Sequence, residues 1–308
     1  MKLVFFGTPE FAVSSLVQLI HSDHDIKAVV STPDSRSGRG LESKSSPIKK
    51  TAINYDLLCL QPFDFLNKNF IKILKDFKAD IFVVVAFKIL PELILNIPKI
   101  GSINLHASLL PKYRGAAPVQ RAIINGEKEI GLSTFFLKRS IDTGDILLQN
   151  ILKIDNMITA GEALEQLSYI GSNLILQTIN RISENNIEPI IQDSNNVSYA
   201  PKIKSQDCKI SWTDSAINIH NLIRAFSPKP GAYTFYNNKR IKLFGSNIIK
   251  DKSIKLSPGQ IIFINNKFLI GTNTDHLSIS KLQFEGKKVL SYQAFISGYS
   301  KMNGENFD

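Results

Sequence analysis

The sequence predicts an α/β fold for its first two thirds and a small β-barrel for the remainder. Short apolar runs alternate with amphipathic stretches in the first part, which is the pattern of a mostly parallel sheet covered by helices. After Pro230, short apolar segments follow one another with Asn-rich turns between them, as is typical of a barrel. A chain of 308 residues is also longer than one hydrophobic core usually serves. We therefore expect two domains, residues 1–205 and residues 206–308.

The first domain is predicted to begin with a buried strand over Leu3–Phe6 that stops at Gly7. Thr8 is expected to cap the following helix, with Pro9 as its first residue, because a Thr N-cap followed by proline is a common helix start. Ligands on such sheets bind beyond the carboxyl ends of the strands, so we expect the functional residues there. The other apolar runs predict strands over 26–30, 80–85 and 100–105, and a long helix over 159–182.

The second domain is predicted to begin with a helix and to continue as a series of strands. The helix covers 215–225, where apolar residues recur at helical spacing. The strands cover 233–236, 241–244, 259–264, 268–271 and 277–282.

Positive charge is concentrated in this second part of the chain. The whole sequence has 37 Lys+Arg and 27 Asp+Glu, which gives a formal net charge of +10. Residues 207–308 contain 14 Lys+Arg and 7 Asp+Glu, so a third of the chain carries +7 of that total. A lysine-rich coding bias, with 29 Lys and 8 Arg, explains part of the excess but not its uneven distribution. The distribution predicts that a polyanion binds the C-terminal domain.

Cysteine and hydropathy patterns exclude several classes of protein. The two cysteines, Cys59 and Cys208, are too far apart for a zinc or iron–sulfur motif and too few for a disulfide scaffold. No apolar run reaches the roughly 18–20 residues of a membrane span. We therefore expect a cytoplasmic protein without a metal site and without membrane association.

The residues that indicate chemistry lie between Asn104 and Asp145. Asn104 and His106 are two positions apart at the end of a predicted strand, so their side chains face the same side of the sheet. Asp142 lies further along, in a Gly-containing turn. An amide, an imidazole and a carboxylate can together move an acyl group onto an amine, by stabilising an oxyanion and transferring a proton. Each of these residues taken alone is more often structural, so the prediction depends on the three occurring together.

The motifs around these residues resemble those of the folate-dependent formyltransferase family. The resemblance covers the chain from end to end and in order, with further pieces at 6–12, 33–47, 83–86 and 223–228. Its central motifs are Asn104-Leu105-His106-Ala107-Ser108-Leu109-Leu110-Pro111, Tyr113-Arg114-Gly115-Ala116-Ala117-Pro118 and Asp142-Thr143-Gly144-Asp145.

The resemblance implies a Rossmann-like catalytic domain followed by an OB-like barrel. It also implies that Asn104, His106 and Asp142 are catalytic. The implied reaction transfers the formyl group of 10-formyltetrahydrofolate to the α-amino group of methionine on initiator tRNA, for translation initiation, and releases tetrahydrofolate. A monomer without a metal ion is expected.

The resemblance further implies two sets of binding residues. The folate cofactor is expected to contact the loop after the 80–85 strand and the turn that follows His106, namely Ala86, Phe87, Leu90, Ser108, Leu109, Leu110 and Pro111. The tRNA is expected to contact a polar loop in the first domain and basic residues of the second, namely Arg39, Lys44, Arg224, Lys239 and Arg240.

Two alternatives stay open from the sequence. Another folate-dependent formyltransferase, or a formyltetrahydrofolate hydrolase, would use the same three catalytic residues. A non-catalytic RNA-binding protein would explain the basic C-terminal domain. An inert protein, however, has no reason to keep Asn104, His106 and Asp142 together.

Overall fold

The computed structural model describes residues 1–37 and 42–308, which form two compact units. The second unit includes two segments of the N-terminal half, Ala116–Lys128 and Lys153–Ala163, as well as Pro201–Asp308. The first unit is made of the rest, Met1–Gly115, Glu129–Leu152 and Leu164–Ala200. The domain boundary predicted at residue 205 places both of those segments in the first domain. The assignment of a separate function to each predicted domain stays a prediction.

The first unit contains a seven-stranded sheet, with the strand order β5-β2-β1-β6-β7-β8-β9 among the described residues. A separate ribbon is formed by β3 and β4, which pair antiparallel. The strands are β1 (Lys2–Gly7), β2 (Asp25–Val30), β3 (Ser35–Ser37), β4 (Glu42–Lys44), β5 (Cys59–Leu60), β6 (Ile81–Val85), β7 (Gly101–His106), β8 (Glu129–Phe136) and β9 (Ile146–Lys153).

The sheet is mostly parallel, as the sequence predicts. β1 pairs in parallel with β2 on one side and β6 on the other, and β7 continues the parallel run beside β6. β8 pairs antiparallel with β7. Chain order reverses between β1 and β6, which is where ligands bind in open α/β sheets, at the carboxyl ends of the strands. β6 and β7 therefore deliver residues 86 and 106 to the functional edge of the sheet.

Apolar side chains fix this sheet from both sides. Phe5, Phe6 and Phe82 are fully buried, and every residue of β6 is buried. Such runs fit a parallel strand covered on both faces.

The helices of both units are α1 (Val13–Ile20), α2 (Pro47–Asn54), α3 (Lys68–Asp76), α4 (Glu92–Leu95), α5 (Pro118–Ile124), α6 (Ala160–Ser183), α7 (Ala216–Ala225) and α8 (Tyr292–Tyr299).

The predicted helix start at Thr8 is wrong. Residues Glu10–Ala12 form a single 3-10 turn, and α1 begins only at Val13. Pro9 occupies the cap position of that turn, and no side chain caps it. The Thr8 hydroxyl is buried and makes no hydrogen bond within the described part of the chain. The local pattern of Thr, Pro and Glu favours a cap, but in the structure a 3-10 turn separates Thr8 from the first residue of α1.

The second unit contains an antiparallel sheet with the strand order β10-β11-β14-β13-β12, and β15 pairs with β14. The antiparallel arrangement is confirmed, and closure into an OB-like barrel stays a prediction. α8 and β15 have no counterpart among the elements predicted from the sequence. The strands are β10 (Ala232–Tyr236), β11 (Lys239–Ile249), β12 (Ile261–Ile264), β13 (Lys267–Gly271), β14 (His276–Phe284) and β15 (Leu290–Ser291).

The core of the second unit combines aliphatic side chains with stacked aromatic rings. Trp212 stacks on Phe307 with ring centroids 5.5 Å apart, and Phe268 stacks on Phe295 at 5.7 Å. Nothing in the described part of the chain forms a helix that is both long and apolar enough to cross a membrane.

Candidate functional site

The structure brings His106 and Asp142 together at the carboxyl end of β7. His106 Nδ1 lies 3.9 Å from Asp142 Oδ2, and both residues are only 8% exposed. Asn104 precedes His106 by two residues on the same strand and is half-buried. Within the described residues, the Asn104 side chain makes no hydrogen bond, so its amide is available to a ligand. All three residues thus lie in the first unit, at the edge where the fold places ligands.

The hydrogen bonds of His106 determine which ring nitrogen is basic. Nε2 lies 3.0 Å from the carbonyl oxygen of Tyr113. Because a carbonyl oxygen only accepts hydrogen bonds, Nε2 carries the hydrogen. In the neutral ring, Nδ1 then holds the lone pair, and it faces the Asp142 carboxylate beyond hydrogen-bond distance. A proton accepted at Nδ1 would therefore form an imidazolium ion with a carboxylate beside it.

The Asp142 carboxylate is held by the backbone of the neighbouring motif. Its Oδ2 accepts a 2.8 Å hydrogen bond from the N–H of Gly115. Gly115 has a φ of +125°, and a Cβ there would lie 2.6 Å from the carbonyl oxygen of Ala200, so only glycine fits. Asp142 itself adopts a left-handed backbone with a φ of +54°. The Asp142–Gly115 contact thus requires an unusual backbone at both ends.

Sequence reasoning missed the residues that hold the Asp142 turn. Gln192 donates to the carbonyl oxygens of Asp142 and Gly144, and Arg114 donates to Gln192. Arg114 lies in a motif that the sequence singles out, but without an assigned role. Gln192 lies in a polar stretch that carries no motif, so the sequence alone offers no signal for it.

The predicted cofactor loop after β6 offers backbone groups more than side chains. Ala86 is exposed and has a φ of +47°. The ring of Phe87 packs against Phe6 and Phe65, and Leu90 is buried in the same apolar cluster. In the described part of the chain, the backbone groups of residues 87–89 make no hydrogen bond. They are therefore free to bind a heterocycle.

Hydrogen bonds of two serine hydroxyls hold the turn after His106 in place. The Ser108 hydroxyl donates to the carbonyl oxygen of Lys112 at 2.7 Å, and Ser133 accepts from Leu110 N–H at 3.0 Å. Ser108 and Leu110 are buried, whereas Leu109 and Pro111 are partly exposed. From this predicted cofactor-binding turn, only Leu109, Pro111 and backbone groups therefore remain accessible to a ligand.

The predicted tRNA-binding residues differ in their exposure and in their contacts. Arg39 lies outside the described residues, and Lys44 is exposed at the end of β4. Lys239 is exposed at the start of β11. Arg240, beside it, places its guanidinium 4.4 Å from the centre of the Tyr233 ring, which is a cation–π contact. Lys239 and Arg240 together present positive charge at one hairpin of the second unit.

Arg224, also predicted to contact tRNA, is buried in this structure, and its contact with tRNA stays a prediction. It is 3% exposed and donates to the side chain of Asn221 at 2.9 Å. It also donates to the carbonyl oxygens of Asp155 and Ile158, each at 3.3 Å. Burial lowers the pKa of this guanidinium. Its donors thus bind the segment before α6.

Two cavities of the molecule lie away from the predicted catalytic residues. Two cavities of about 440 and 480 Å³ lie in the second unit, and neither is lined by Asn104, His106 or Asp142. Among the described residues, no group of three His, Cys, Asp or Glu side chains could hold a metal ion. The three residues are thus distinguished by their chemistry and position on the sheet.

Family comparisons identify the class of protein to which this fold and site belong. Residues 1–179 match the formyl transferase family, and residues 202–300 match the formyl transferase C-terminal domain. A sugar 3N-formyltransferase crystallised in the presence of dTDP and 5-N-formyl-THF has the same fold, with a TM-score of 0.68. It is 22% identical, and the match covers 94% of this chain and 99% of that one. The fold and the two matches define a formyl transferase.

Full-length relatives narrow the class. The methionyl-tRNA formyltransferase of Carboxydothermus hydrogenoformans is 43% identical over 311 residues, which covers 100% of both chains. That of Thermodesulfovibrio yellowstonii is 44% identical, covering 96% of this chain and 95% of its own. The chain belongs to the methionyl-tRNA formyltransferase family. The resemblance seen in the sequence motifs is thereby confirmed.

Proposed function

We propose that this protein transfers the formyl group of 10-formyltetrahydrofolate to the α-amino group of methionyl initiator tRNA in the cytoplasm. The observation that carries the proposal is the His106–Asp142 pair, with a basic Nδ1 3.9 Å from a carboxylate oxygen. The pair occurs in a chain that is 43% identical, over its full length, to a methionyl-tRNA formyltransferase.

The chemistry needs a positioned amine and a stabilised oxyanion. An α-amino group has a pKa of about 7.7–8.0, so a substantial fraction is neutral and nucleophilic near neutral pH. Attack of its nitrogen on the formyl carbon forms a C–N bond and leaves a negative oxygen on a tetrahedral carbon. Collapse of this intermediate breaks the bond to N10 of the folate and releases tetrahydrofolate. The enzyme must therefore supply a hydrogen-bond donor to the oxygen and move one proton from the amine to N10.

The proposed roles follow from the contacts of each residue. The Asn104 amide, which makes no hydrogen bond within the described residues, donates to the formyl oxygen. His106 Nδ1 accepts the proton that the attacking nitrogen loses, because Nε2 is already committed to Tyr113. Asp142 provides the counter-ion for the imidazolium that forms. The same Nδ1–H then delivers the proton to the departing N10.

The proposed folate site uses the loop after β6. Backbone N–H and C=O groups of residues 87–89 are unpaired within the described part of the chain and can bind the edge of the pterin ring. The Phe87 and Leu90 side chains support the loop from the core. Among the predicted cofactor-binding residues, the side chains of Ala86, Phe87, Leu109 and Pro111 are exposed or partly exposed.

The proposed tRNA contacts are electrostatic. Lys239 and Arg240 belong to the region that carries +7 of the net charge of +10, and Lys44 adds a cation on the first unit. Cations of this kind bind phosphates and release counter-ions, so the affinity for tRNA should fall steeply as salt rises. Arg39, which lies outside the described residues, is proposed to contact the acceptor end, since a guanidinium can both stack on a base and bind a phosphate.

Substrate competition tests the proposal directly. Formyl transfer from 10-formyltetrahydrofolate is measured with charged initiator tRNA, charged elongator tRNA and a sugar-nucleotide amine. We expect the highest kcat/KM with initiator tRNA. A preference for the sugar-nucleotide amine, or hydrolysis of the folate without an acceptor, would overturn the assignment.

Substitution of Asn104 separates catalysis from RNA binding. Asn104→Ala should lower turnover by at least about a hundredfold, as expected for a lost oxyanion donor, and leave tRNA affinity unchanged. Unchanged turnover would instead favour a protein that only binds RNA.

A further inference from the structure

Gln192 connects the turn that contains Asp142 to the motif that follows His106. Its Nε2 donates to the carbonyl oxygen of Asp142 at 2.9 Å and to that of Gly144 at 2.7 Å. Because one amide group binds two carbonyl oxygens of the same turn, it fixes the backbone on both sides of Thr143. Gly144 is already pressed onto β8, since a Cβ there would overlap the carbonyl oxygen of Phe136.

Arg114 fixes the orientation of the Gln192 amide. Gln192 Oε1 accepts from Arg114 Nε at 3.1 Å and from Arg114 Nη2 at 2.6 Å. A flipped amide would turn its NH₂ group towards the guanidinium, so donors would face donors, and its oxygen towards two carbonyl oxygens. The network therefore permits a single orientation of the Gln192 side chain.

The backbone on either side of Arg114 contacts both members of the candidate catalytic pair. Tyr113 accepts from His106 Nε2 at 3.0 Å, and Gly115 N–H donates to Asp142 Oδ2 at 2.8 Å. Arg114 itself is bonded through its backbone to residues 198 and 200, at 2.9 and 2.7 Å. The tripeptide 113–115 thus positions the imidazole through one residue, the carboxylate through another, and Gln192 through the residue between them.

We propose that Gln192 is a positioning residue, which holds the Asp142 carboxylate 3.9 Å from His106 through its contacts with Arg114 and the Asp142–Gly144 turn. The expected effect on catalysis rests on the proposed function. The tether, which is the pair of hydrogen bonds from Gln192 to the Asp142–Gly144 turn, does not depend on it. Loss of the tether releases the backbone of the turn while Gly115 still binds the carboxylate. The carboxylate then moves relative to Nδ1, and a displacement of about 1 Å at a reacting group can lower the rate about a hundredfold.

Kinetics of Gln192→Met test the catalytic part. Methionine keeps the length of the side chain and removes all four hydrogen bonds. We expect kcat to fall about 10- to 100-fold, with the KM values for folate and tRNA changed less than about threefold. Gln177→Met is the matched control, because Gln177 is exposed on α6 and lies outside this network. An equal loss in the control, or a change confined to KM, would contradict the proposal.

A double-mutant cycle distinguishes positioning from general destabilisation. If Gln192 acts through Asp142, Gln192→Met should lower kcat less than about threefold further in an Asp142→Asn background. Additive losses would overturn the proposal. Gln192→Glu provides a second variant should Gln192→Met not fold. It keeps the acceptor for Arg114 and places carboxylate oxygens against two carbonyl oxygens, so the same loss of kcat is expected.

Hydrogen exchange tests the tether without any substrate. Backbone amides of residues 137–145 should exchange at least about fivefold faster in Gln192→Met than in the parent or in Gln177→Met, because the turn opens more often. Unchanged exchange would refute the tether. A parent protein that transfers no formyl group would refute the proposed function, while the exchange measurement would still decide the role of Gln192.

Discussion

Two of the buried histidines, His106 in the first unit and His220 in the second, share one contact and differ in the other. His106 and His220 each use Nε2 to donate to a backbone carbonyl oxygen, that of Tyr113 at 3.0 Å and that of Asn156 at 2.7 Å. In His220, Nδ1 is also satisfied, by the Ser246 hydroxyl at 2.9 Å. In His106, Nδ1 faces a carboxylate oxygen 3.9 Å away, beyond hydrogen-bond distance. A buried histidine with both nitrogens satisfied is structural, whereas one with a free nitrogen beside a carboxylate can exchange a proton.

Two arginines, Arg224 and Arg114, also differ in their burial and in the groups that they bind. Arg224 in the second unit is buried, and it holds the backbone of residues 155 and 158. Arg114 in the first unit is only half-buried, and it acts on Gln192, whose amide holds the turn of Asp142. The first unit therefore uses its polar network to orient a reactive pair, and the second uses a similar network to fix the chain.

The largest expected effect is on His106 itself. His106→Ala should lower kcat for formyl transfer by about 10³-fold, within the range typical of a lost general acid–base. His21→Ala, at an exposed position on the same unit, is the control and should retain the parent rate. If His106→Ala keeps a rate within about fivefold of the parent, His106 has no catalytic role that distinguishes it from His220.

His220 should show the opposite result. His220→Leu leaves the Ser246 hydroxyl buried without a partner, at about 1–3 kcal/mol for an unsatisfied group, and removes the hydrogen bond to the Asn156 carbonyl, at about 0.5–1.5 kcal/mol. We expect the second unit to lose about 2–4 kcal/mol of unfolding free energy, with kcat unchanged at temperatures where it stays folded.

Trp212 offers a selective measurement of that loss. It is the single tryptophan of the sequence and is 6% exposed in the core of the second unit. Its fluorescence during urea unfolding should therefore report on that unit. His21→Leu, in the first unit, should leave the Trp212 transition in place. A loss of kcat in folded His220→Leu would show that His220 does more than fix the chain.

The pH dependence of the same transition provides a third test. Burial lowers the pKa of His220 in the folded protein below its ordinary value of 6.5. The unfolded chain therefore binds a proton first as the pH falls, so the stabilisation is complete above about pH 6.5 and is lost below it. One proton corresponds to at most about 1.4 kcal/mol per pH unit.

The variant His220→Gln should remove that slope. Between pH 6.5 and 5, the unfolding free energy measured by Trp212 should fall less steeply in His220→Gln than in the parent. Carboxylates of the same unit with a lowered pKa, such as Asp155 and Asp207, act at lower pH and do not obscure the difference. Identical slopes in the two proteins would mean that other groups bind the proton.

The smallest expected effect concerns the surface cations. Lys239→Ala and Arg240→Ala should each weaken tRNA binding a few fold and reduce the slope of log K against log salt by about one, as expected for one lost phosphate contact. Lys252→Ala, an exposed lysine of the same unit, is the matched control and should leave the slope unchanged. Equal changes in all three variants would mean that charge acts diffusely, without a defined site at the hairpin.

The main elements of the fold follow from local sequence patterns. The predicted strand over 80–85 and the helix over 159–182 match Ile81–Val85 and Ala160–Ser183 to within one residue, because continuous apolar runs and helical spacing act locally. Thr8 shows the limit of such reasoning, since a 3-10 turn follows it and α1 begins only at Val13, although its capping preference is local.

The candidate site could be predicted only as far as its motifs extend. Asn104 and His106 share a strand, so the two-residue period places them on one face. The contacts of Arg224 and Gln192 could not be predicted, because their partners are distant in sequence. Arg224 binds a carbonyl 69 residues away, and Gln192 binds groups 50 and 78 residues away. No local pattern encodes these contacts.

The second unit is built from separate segments of the chain, and this has a consequence during synthesis. Helix α5 belongs to this unit and packs on α7, which begins about a hundred residues later in the chain. At about 5–20 residues per second, the ribosome exposes α5 several seconds before its partner exists. Ile124, the α5 residue that packs against the core of the second unit, lacks that core throughout the interval. The α5 segment therefore stays without its helical partner until α7 emerges and the C-terminal strands follow it.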